Sequence, residues 1–157
     1  MKIGNISIKK PVIVVVEGLD DQWVLEYFCE KWGFDQIQFI PVKGKLQKSN
    51  VDSIILQPNF KNIVKSFGLI RDADDDYENA KKSIQGIFSS LKLEQNTGFF
   101  IFPNNEKKGL LETLFIQACA IQDNERYECI NNFIECLSKK TLNFLTIEKI
   151  RLSFTHI

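Results

Sequence analysis

Glu17, Asp72, Asp74 and Asp76 are the residues of this chain whose types and spacing could do chemistry. Glu17 closes the apolar run Pro11-Val12-Ile13-Val14-Val15-Val16 and opens Glu17-Gly18-Leu19-Asp20-Asp21. Asp72, Asp74, Asp75 and Asp76 follow a second run, Phe67-Gly68-Leu69-Ile70-Arg71. Carboxylates brought into one small volume repel one another and are stabilised by a nearby cation. A hard divalent ion such as Mg²⁺ or Mn²⁺, with oxygen ligands, matches that need. Metals held this way stabilise the attacking and leaving oxygens of an in-line phosphoryl displacement.

Two simpler accounts of the aspartates compete with this one. The Asp-x-Asp-x-Asp spacing at Asp72, Asp74 and Asp76 opens a calcium-binding helix–loop–helix motif. That motif needs glycine at its sixth position and glutamate at its twelfth. Tyr77 and Ser83 stand there, and the segment follows a strand pattern, so the calcium loop is excluded. The other account is helix capping, because acidic groups suit the positive end of a helix dipole. Asp75 or Asp76 is expected to cap; four aspartates in five positions are more than capping requires.

The elements that must carry these residues follow from periodicity. The β-branched run over 11–16 predicts a strand buried on both faces. A helix is expected over 20–32, with Val24, Leu25, Phe28 and Trp32 on its buried stripe and Gly33 ending it. Strand two is expected over 37–42, then a lysine-bearing loop holding Lys43, Lys45 and Lys48. Ser49 or Asn50 is expected to cap a helix near 51–65 that Pro58 interrupts. Strand three spans 66–71, a helix 77–91 buries Ala80, Ile84, Ile87, Phe88 and Leu91, and strand four spans 98–102. Helices are expected over 110–121 and 126–137, with a last one from Leu142. Strands alternating with helices predict an α/β fold: a mostly parallel four-stranded sheet covered by helices on both faces. Acidic residues leaving two of its strands would then meet at the carboxyl edge, where open α/β sheets bind ligands.

Composition bounds the partners. Twenty basic and twenty acidic residues give a formal net charge of zero, so any basic surface must be local. Arginine is confined to Arg71, Arg126 and Arg151, which does not favour forked recognition of bases. Lys43, Lys45 and Lys48 after strand two, and Lys107 and Lys108 after strand four, are candidates for contact with a phosphate backbone and for transition-state charge. The lone histidine, His156, is penultimate, so a histidine general base is not expected. No apolar run approaches the roughly 20 residues that span a bilayer. The first residues carry no signal-peptide pattern. Cys29, Cys119, Cys129 and Cys136 form no Cys-x-x-Cys pair and are expected as buried, reduced thiols. The chain reads as a cytoplasmic protein without a membrane partner.

A hydrophobic strand ending in Glu17-Gly18-x-x-Asp21, followed by one ending in Asp72-x-Asp74, resembles the Toprim domain. Topoisomerases, bacterial primases, overcoming-lysogenization-defect (OLD) nucleases and small ribosomal-RNA maturation ribonucleases share that domain. The similarity covers residues 11–121. Within it, Ile101-Phe102-Pro103-Asn104-Asn105 and Gly109-Leu110-Leu111-Glu112 resemble small stand-alone Toprim-like proteins related to the OLD nucleases. Tyr77 departs from the glycine that many members carry three residues after the second aspartate, which favours the OLD-like branch.

The resemblance implies a Toprim-like (Rossmann-like) single domain over 1–157, with core 11–121, a helical extension over 122–157 and a continuation past Ile157. It implies that Glu17 is the catalytic acid/base or a metal ligand, that Asp72 and Asp74 hold Mg²⁺ or Mn²⁺, and that Asp21 assists. Asp76 and Glu112 are further ligands on the same resemblance, and an ATPase is an implied protein partner. The expected activity is hydrolysis of DNA or RNA phosphodiesters with water as nucleophile, since Tyr27, Tyr77 and Tyr127 all fall on expected helices of this domain. Two alternatives stay open. One is a receiver-like signalling module phosphorylated on Asp72; the other is a nucleic-acid-binding subunit without catalysis.

Overall fold

The run Val12–Val16 forms β1, and its alternating burial shows a strand whose side chains meet protein on both sides. The structure, a computed structural model, describes residues 6–138. After β1 come α1 (Leu19–Lys31), β2 (Ile37–Pro41), α2 (Lys48–Ile55), α3 (Phe60–Ile63) and β3 (Ser66–Asp72). α4 (Tyr77–Ser90), β4 (Asn96–Phe102), α5 (Leu111–Gln122) and α6 (Asn124–Ser138) complete the order. The strands form one parallel four-stranded sheet in the order β2-β1-β3-β4, flanked by helices, an α/β arrangement of Rossmann-like type. β1 sits between its partners, with Val12 opposite both Ile37 and Ser66, and Val15 opposite both Ile40 and Leu69.

The described chain falls into two compact units, 6–71 with 81–100, and 72–80 with 101–138. In the first, Ile13, Val15, Val16, Ile54, Phe60, Phe67, Leu69 and Ile84 are fully buried. Phe60 and Phe67 meet edge to face with centroids 5.6 Å apart. Burying each such side chain contributes about 1.5–3 kcal/mol, which ties α3 and β3 together. In the second unit Ile101, Phe102, Leu110, Leu111 and Ile116 are the buried apolar residues, with Ala73 and Ala80.

Three expectations are corrected. Trp32 is 65% exposed and stacks on Phe28 at 5.1 Å, while Val24, Leu25 and Phe28 are half-buried. α1 carries apolar residues on both sides, Trp23 and Tyr27 included, so spacing alone does not say which side faces the sheet. The helix expected over 51–65 is interrupted around Pro58 as expected, α2 ending at Ile55 and α3 restarting at Phe60, but its cap is not Ser49 or Asn50. It also starts earlier, with Gln47 as N-cap, and Asn50 accepts the Gln47 N–H through its side chain at 3.1 Å. Cys129 is exposed and Cys29 and Cys119 are half-buried, so the thiols are free but not all buried. The side chain of Cys136, the helix expected from Leu142, and His156 lie outside the described residues. No helix among the described residues is long and apolar enough to cross a membrane.

Candidate functional site

β1 connects forward to β2 on one side and pairs with β3 on the other, so the strand order reverses between β1 and β3. Ligands of open α/β sheets bind outside the carboxyl ends of the strands at such a switch point. Glu17 follows β1 there, and Arg71 is the next-to-last residue of β3. Glu17, Asp21 and Arg71 belong to the first unit; Asp72, Asp74, Asp76, Lys107, Lys108 and Glu112 belong to the second.

In the first unit Glu17 is held from two directions. Its Oε1 accepts the Leu46 N–H at 2.7 Å, and Arg71 Nη2 lies 3.8 Å from the same oxygen. Both side chains are nearly buried, 13% exposed for Glu17 and 9% for Arg71. The Glu17 carbonyl accepts the Gly44 N–H at 3.1 Å. Lys43 and Gly44, with φ of 57° and 145°, turn the chain so that these amides face Glu17. The expected lysine loop is therefore a structured arch whose Leu46 is buried, with exposed Lys43 and Lys45 on it and exposed Lys48 opening α2. Gly18 caps α1, and its N–H donates to Asp21 Oδ2 at 2.8 Å. A Cβ at Gly18 would sit 3.3 Å from that oxygen, so glycine lets the Asp21 carboxylate close the helix start.

Sequence reasoning placed Arg71 in the strand and missed its part in the site. The signal was available: Phe67, Leu69 and Arg71 alternate onto one buried face of β3, and a charge at such a position requires a partner.

In the second unit Asp72 Oδ1 accepts the Leu111 N–H at 3.0 Å, satisfying the first amide of α5. Asp74 has φ 53°, a left-handed conformation that aspartate tolerates, and exchanges two backbone hydrogen bonds with Gly109, at 3.1 and 2.9 Å. Gly109 has φ 142°, and a Cβ on it would stand 2.9 Å from Thr113 Oγ1 and 3.1 Å from Pro103 Cδ. Thr113 Oγ1 accepts the Leu110 N–H at 3.0 Å. The two motifs quoted from the sequence, Asp72-x-Asp74 and Gly109-Leu110-Leu111-Glu112, thus pack against each other. Glu112 lies on the first turn of α5, half-buried, where the dipole favours an anion. Asp76 Oδ1 accepts the Asn79 N–H at 3.0 Å and so caps α4. Lys107 and Lys108 are exposed in the loop after β4; Asn104 Oδ1 accepts the N–H groups of Glu106 and Lys107 and shapes that loop.

Carboxylate oxygens are the donors a hard divalent ion prefers, so the donor set fits Mg²⁺ or Mn²⁺ in kind. Among the described residues no group of three or more His, Cys, Asp or Glu side chains is placed to hold a metal. Asp21, Asp72 and Asp76 each commit one carboxylate oxygen to a backbone N–H.

No curated protein and no solved structure matches the chain. Residues 11–152, which include both acidic motifs, match the model of a family described as "Protein of unknown function (DUF3226)". The chain is a member of the DUF3226 family.

Proposed function

We propose that this chain is a metal-dependent phosphodiesterase of Toprim type that hydrolyses nucleic acid, in the manner of the OLD-like nucleases its motifs resemble. The observation that carries the reading is that acidic residues leave the carboxyl ends of β1 and β3, the strands flanking the switch point. Within the second unit Asp72 and Asp74 would hold Mg²⁺ or Mn²⁺, supported by Asp76 and Glu112; the roles of Glu17 and Asp21 are those the Toprim resemblance implies. When bound, the ion neutralises charge on the phosphoryl oxygens and lowers the pKa of water. Glu17 accepts the proton of the attacking water at its carboxylate. The phosphorus–oxygen bond to the leaving sugar oxygen breaks, and that oxygen takes up a proton from solvent water. Lys107 and Lys108 contribute phosphate contacts, as do Lys43, Lys45 and Lys48, and none of these reads a base.

The test is nicking of supercoiled DNA, and cleavage of single- and double-stranded DNA and RNA, with Mg²⁺ or Mn²⁺ and with chelator. Asp72→Asn is the cleaner variant, because an asparagine Oδ1 still accepts the Leu111 N–H while the charge is gone. The reading expects metal-dependent cleavage that Asp72→Asn abolishes while the chain stays folded. Absence of cleavage of every one of these substrates with either metal sinks it.

The Glu17–Arg71 pair supports a second reading. A carboxylate neutralised within the fold has less need of a metal, which suits a binding subunit without catalysis. Nucleic-acid binding that persists undiminished in chelator, with no cleavage, selects that reading.

A further inference from the structure

Among the described residues β4 is an edge strand of the sheet, and its outer backbone edge is covered at one end and uncovered at the other. Asn96 N–H donates to the Lys65 carbonyl at 3.2 Å, and Ala73 N–H donates to the Phe102 carbonyl at 3.1 Å. In a parallel ladder the even-numbered residues from Asn96 to Phe102 therefore turn their backbone groups toward β3, and the odd-numbered ones turn outward. At Ile101 the outward groups are covered by one residue. Asn105 Oδ1 accepts the Ile101 N–H at 2.7 Å, and Asn105 N–H donates to the Ile101 carbonyl at 2.8 Å. At Thr97 and Phe99 nothing among the described residues covers them, and both residues are exposed.

Natural edge strands are protected by charge, proline or a bulge, because open N–H and C=O groups template pairing with another chain. The strand Asn96-Thr97-Gly98-Phe99-Phe100-Ile101-Phe102 has none of the charged or proline residues that would do so. Gly98 is a second, independent sign. A Cβ there would meet nothing within 4 Å, and its φ is outside the left-handed region, so neither packing nor backbone conformation within the chain calls for glycine. Glycine in a strand interior costs stability and marks places where another backbone approaches closely.

We infer that β4 pairs antiparallel with β4 of a second copy of this chain, across a two-fold axis at Gly98. In that register Thr97 N–H donates to the carbonyl of the partner's Phe99, and the partner's Phe99 N–H donates to the Thr97 carbonyl. The symmetry operation repeats the pair, so every open group of Thr97 and Phe99 is satisfied. A two-fold is self-complementary, and an uncharged strand meeting its own copy brings no like charges together. Thr97 and Phe99 share the sheet face that Phe88 lies on, 6.5 Å from Phe99 between ring centroids. A cavity of about 550 Å³ lined by Gln85, Phe88, Ser89, Thr97, Gly98 and Phe99 opens there. The partner's Phe99, set opposite Thr97, fills it.

Sedimentation velocity of the full chain over a range of concentrations tests the pairing and expects a reversible monomer–dimer equilibrium. Thr97→Pro removes an outward N–H without removing a bond to β3, and raises the dimer dissociation constant roughly 30-fold through loss of two symmetry-related donors. Because proline can disturb the strand, Gly98→Cys provides a second arm. Directly opposed residues at a non-hydrogen-bonded antiparallel position have Cα atoms about 4.5 Å apart, within reach of a disulfide. Mild oxidation of Gly98→Cys is expected to give a reducible covalent dimer that the unsubstituted chain, with its own four cysteines, does not give. A chain monomeric at every concentration, or a dimer insensitive to Thr97→Pro and without the Gly98→Cys cross-link, overturns the inference.

Discussion

Arg71 Nη2 lies 3.8 Å from Glu17 Oε1, and both side chains are nearly buried. Two unit charges at that separation attract by about 4 kcal/mol at an effective dielectric constant of about 20, and desolvation offsets much of this. The pair binds the end of β1 to the end of β3, while the Leu46 N–H fixes the carboxylate from the other side. Whatever Glu17 does in chemistry, it is first a fixed point of the fold.

Removing one member takes a close opposite charge away from the other, nearly buried one, so Glu17→Gln and Arg71→Met are each expected to destabilise by about 2–4 kcal/mol. Denaturant unfolding measures this. The double variant is expected to lose less than the sum of the singles, with a coupling of about 1–3 kcal/mol. Additive losses would show that the pair is not energetically joined. Loss of activity in Glu17→Gln must therefore be read beside its stability.

Asp76→Ala removes the N-cap of α4 and is expected to cost about 1 kcal/mol, while Asp76→Ser, which keeps an acceptor for the Asn79 N–H, is expected to recover most of it. Thermal unfolding checks the pair. If capping is all Asp76 does, Asp76→Ser also binds Mg²⁺ like the parent chain in calorimetric titration. Weakened metal binding in that variant would make Asp76 a ligand as well.

Much of the fold was readable because side-chain chemistry carried it. A β-branched run marked β1, an apolar run marked β3, and Ala80, Ile84 and Ile87 marked the buried face of α4. The acidic positions were readable for the same reason. What escaped was carried by backbone. The Leu46 and Gly44 amides that grip Glu17 and the Asp74–Gly109 bridge have no side-chain signature, so the lysine stretch looked like a plain loop. Arg71 had a signature, a charge on a buried period-two face, which goes unnoticed if the strand is read only for its apolar residues. Trp32 was misplaced because α1 is apolar on more than one side.

If the chain acts on nucleic acid as proposed, affinity is expected to fall with salt, because the exposed lysines would contact phosphate and displace counterions. Lys107→Glu with Lys108→Glu is expected to weaken binding equally across unrelated sequences and to shallow the log–log salt slope by about 1–2. Fluorescence anisotropy at several ionic strengths measures it. A slope unchanged by these substitutions would remove the β4–α5 loop from the interface.

Burial pushes the Cys29 thiol up, opposed by the nearby Lys10 ammonium and assisted by Glu26. Since the thiolate is the nucleophile, alkylation of Cys29 by iodoacetamide is expected to be slow at neutral pH and to rise with pH through a midpoint above that of a free thiol. Lys10→Gln removes the one favourable charge and is expected to move the midpoint higher still. Peptide mass mapping of the alkylated chain over a pH series decides it, and a midpoint at or below the free-thiol value would contradict the burial.

Gly109 and Gly86 give opposite expectations for the same substitution. Gly109 has φ 142°, and a methyl group there would stand 2.9 Å from Thr113 Oγ1, the atom that accepts the Leu110 N–H, and 3.1 Å from Pro103. Gly109→Ala therefore strains the backbone and pushes on the cap of α5 together. It is expected to cost about 2–4 kcal/mol, more than strain alone, because the Asp74 bridge and the Asp72–Leu111 bond hang from the same segment. Gly86 lies inside α4 with open space where a Cβ would go. Gly86→Ala is expected to stabilise by about 0.5–1 kcal/mol through helix propensity. Denaturant midpoints of the two variants measure both effects. If Gly109→Ala proved as harmless as Gly86→Ala, the segment packed against Asp72-x-Asp74 would have to be mobile enough to absorb the methyl group, and Asp72 and Asp74 would lose the fixed spacing on which a metal site depends.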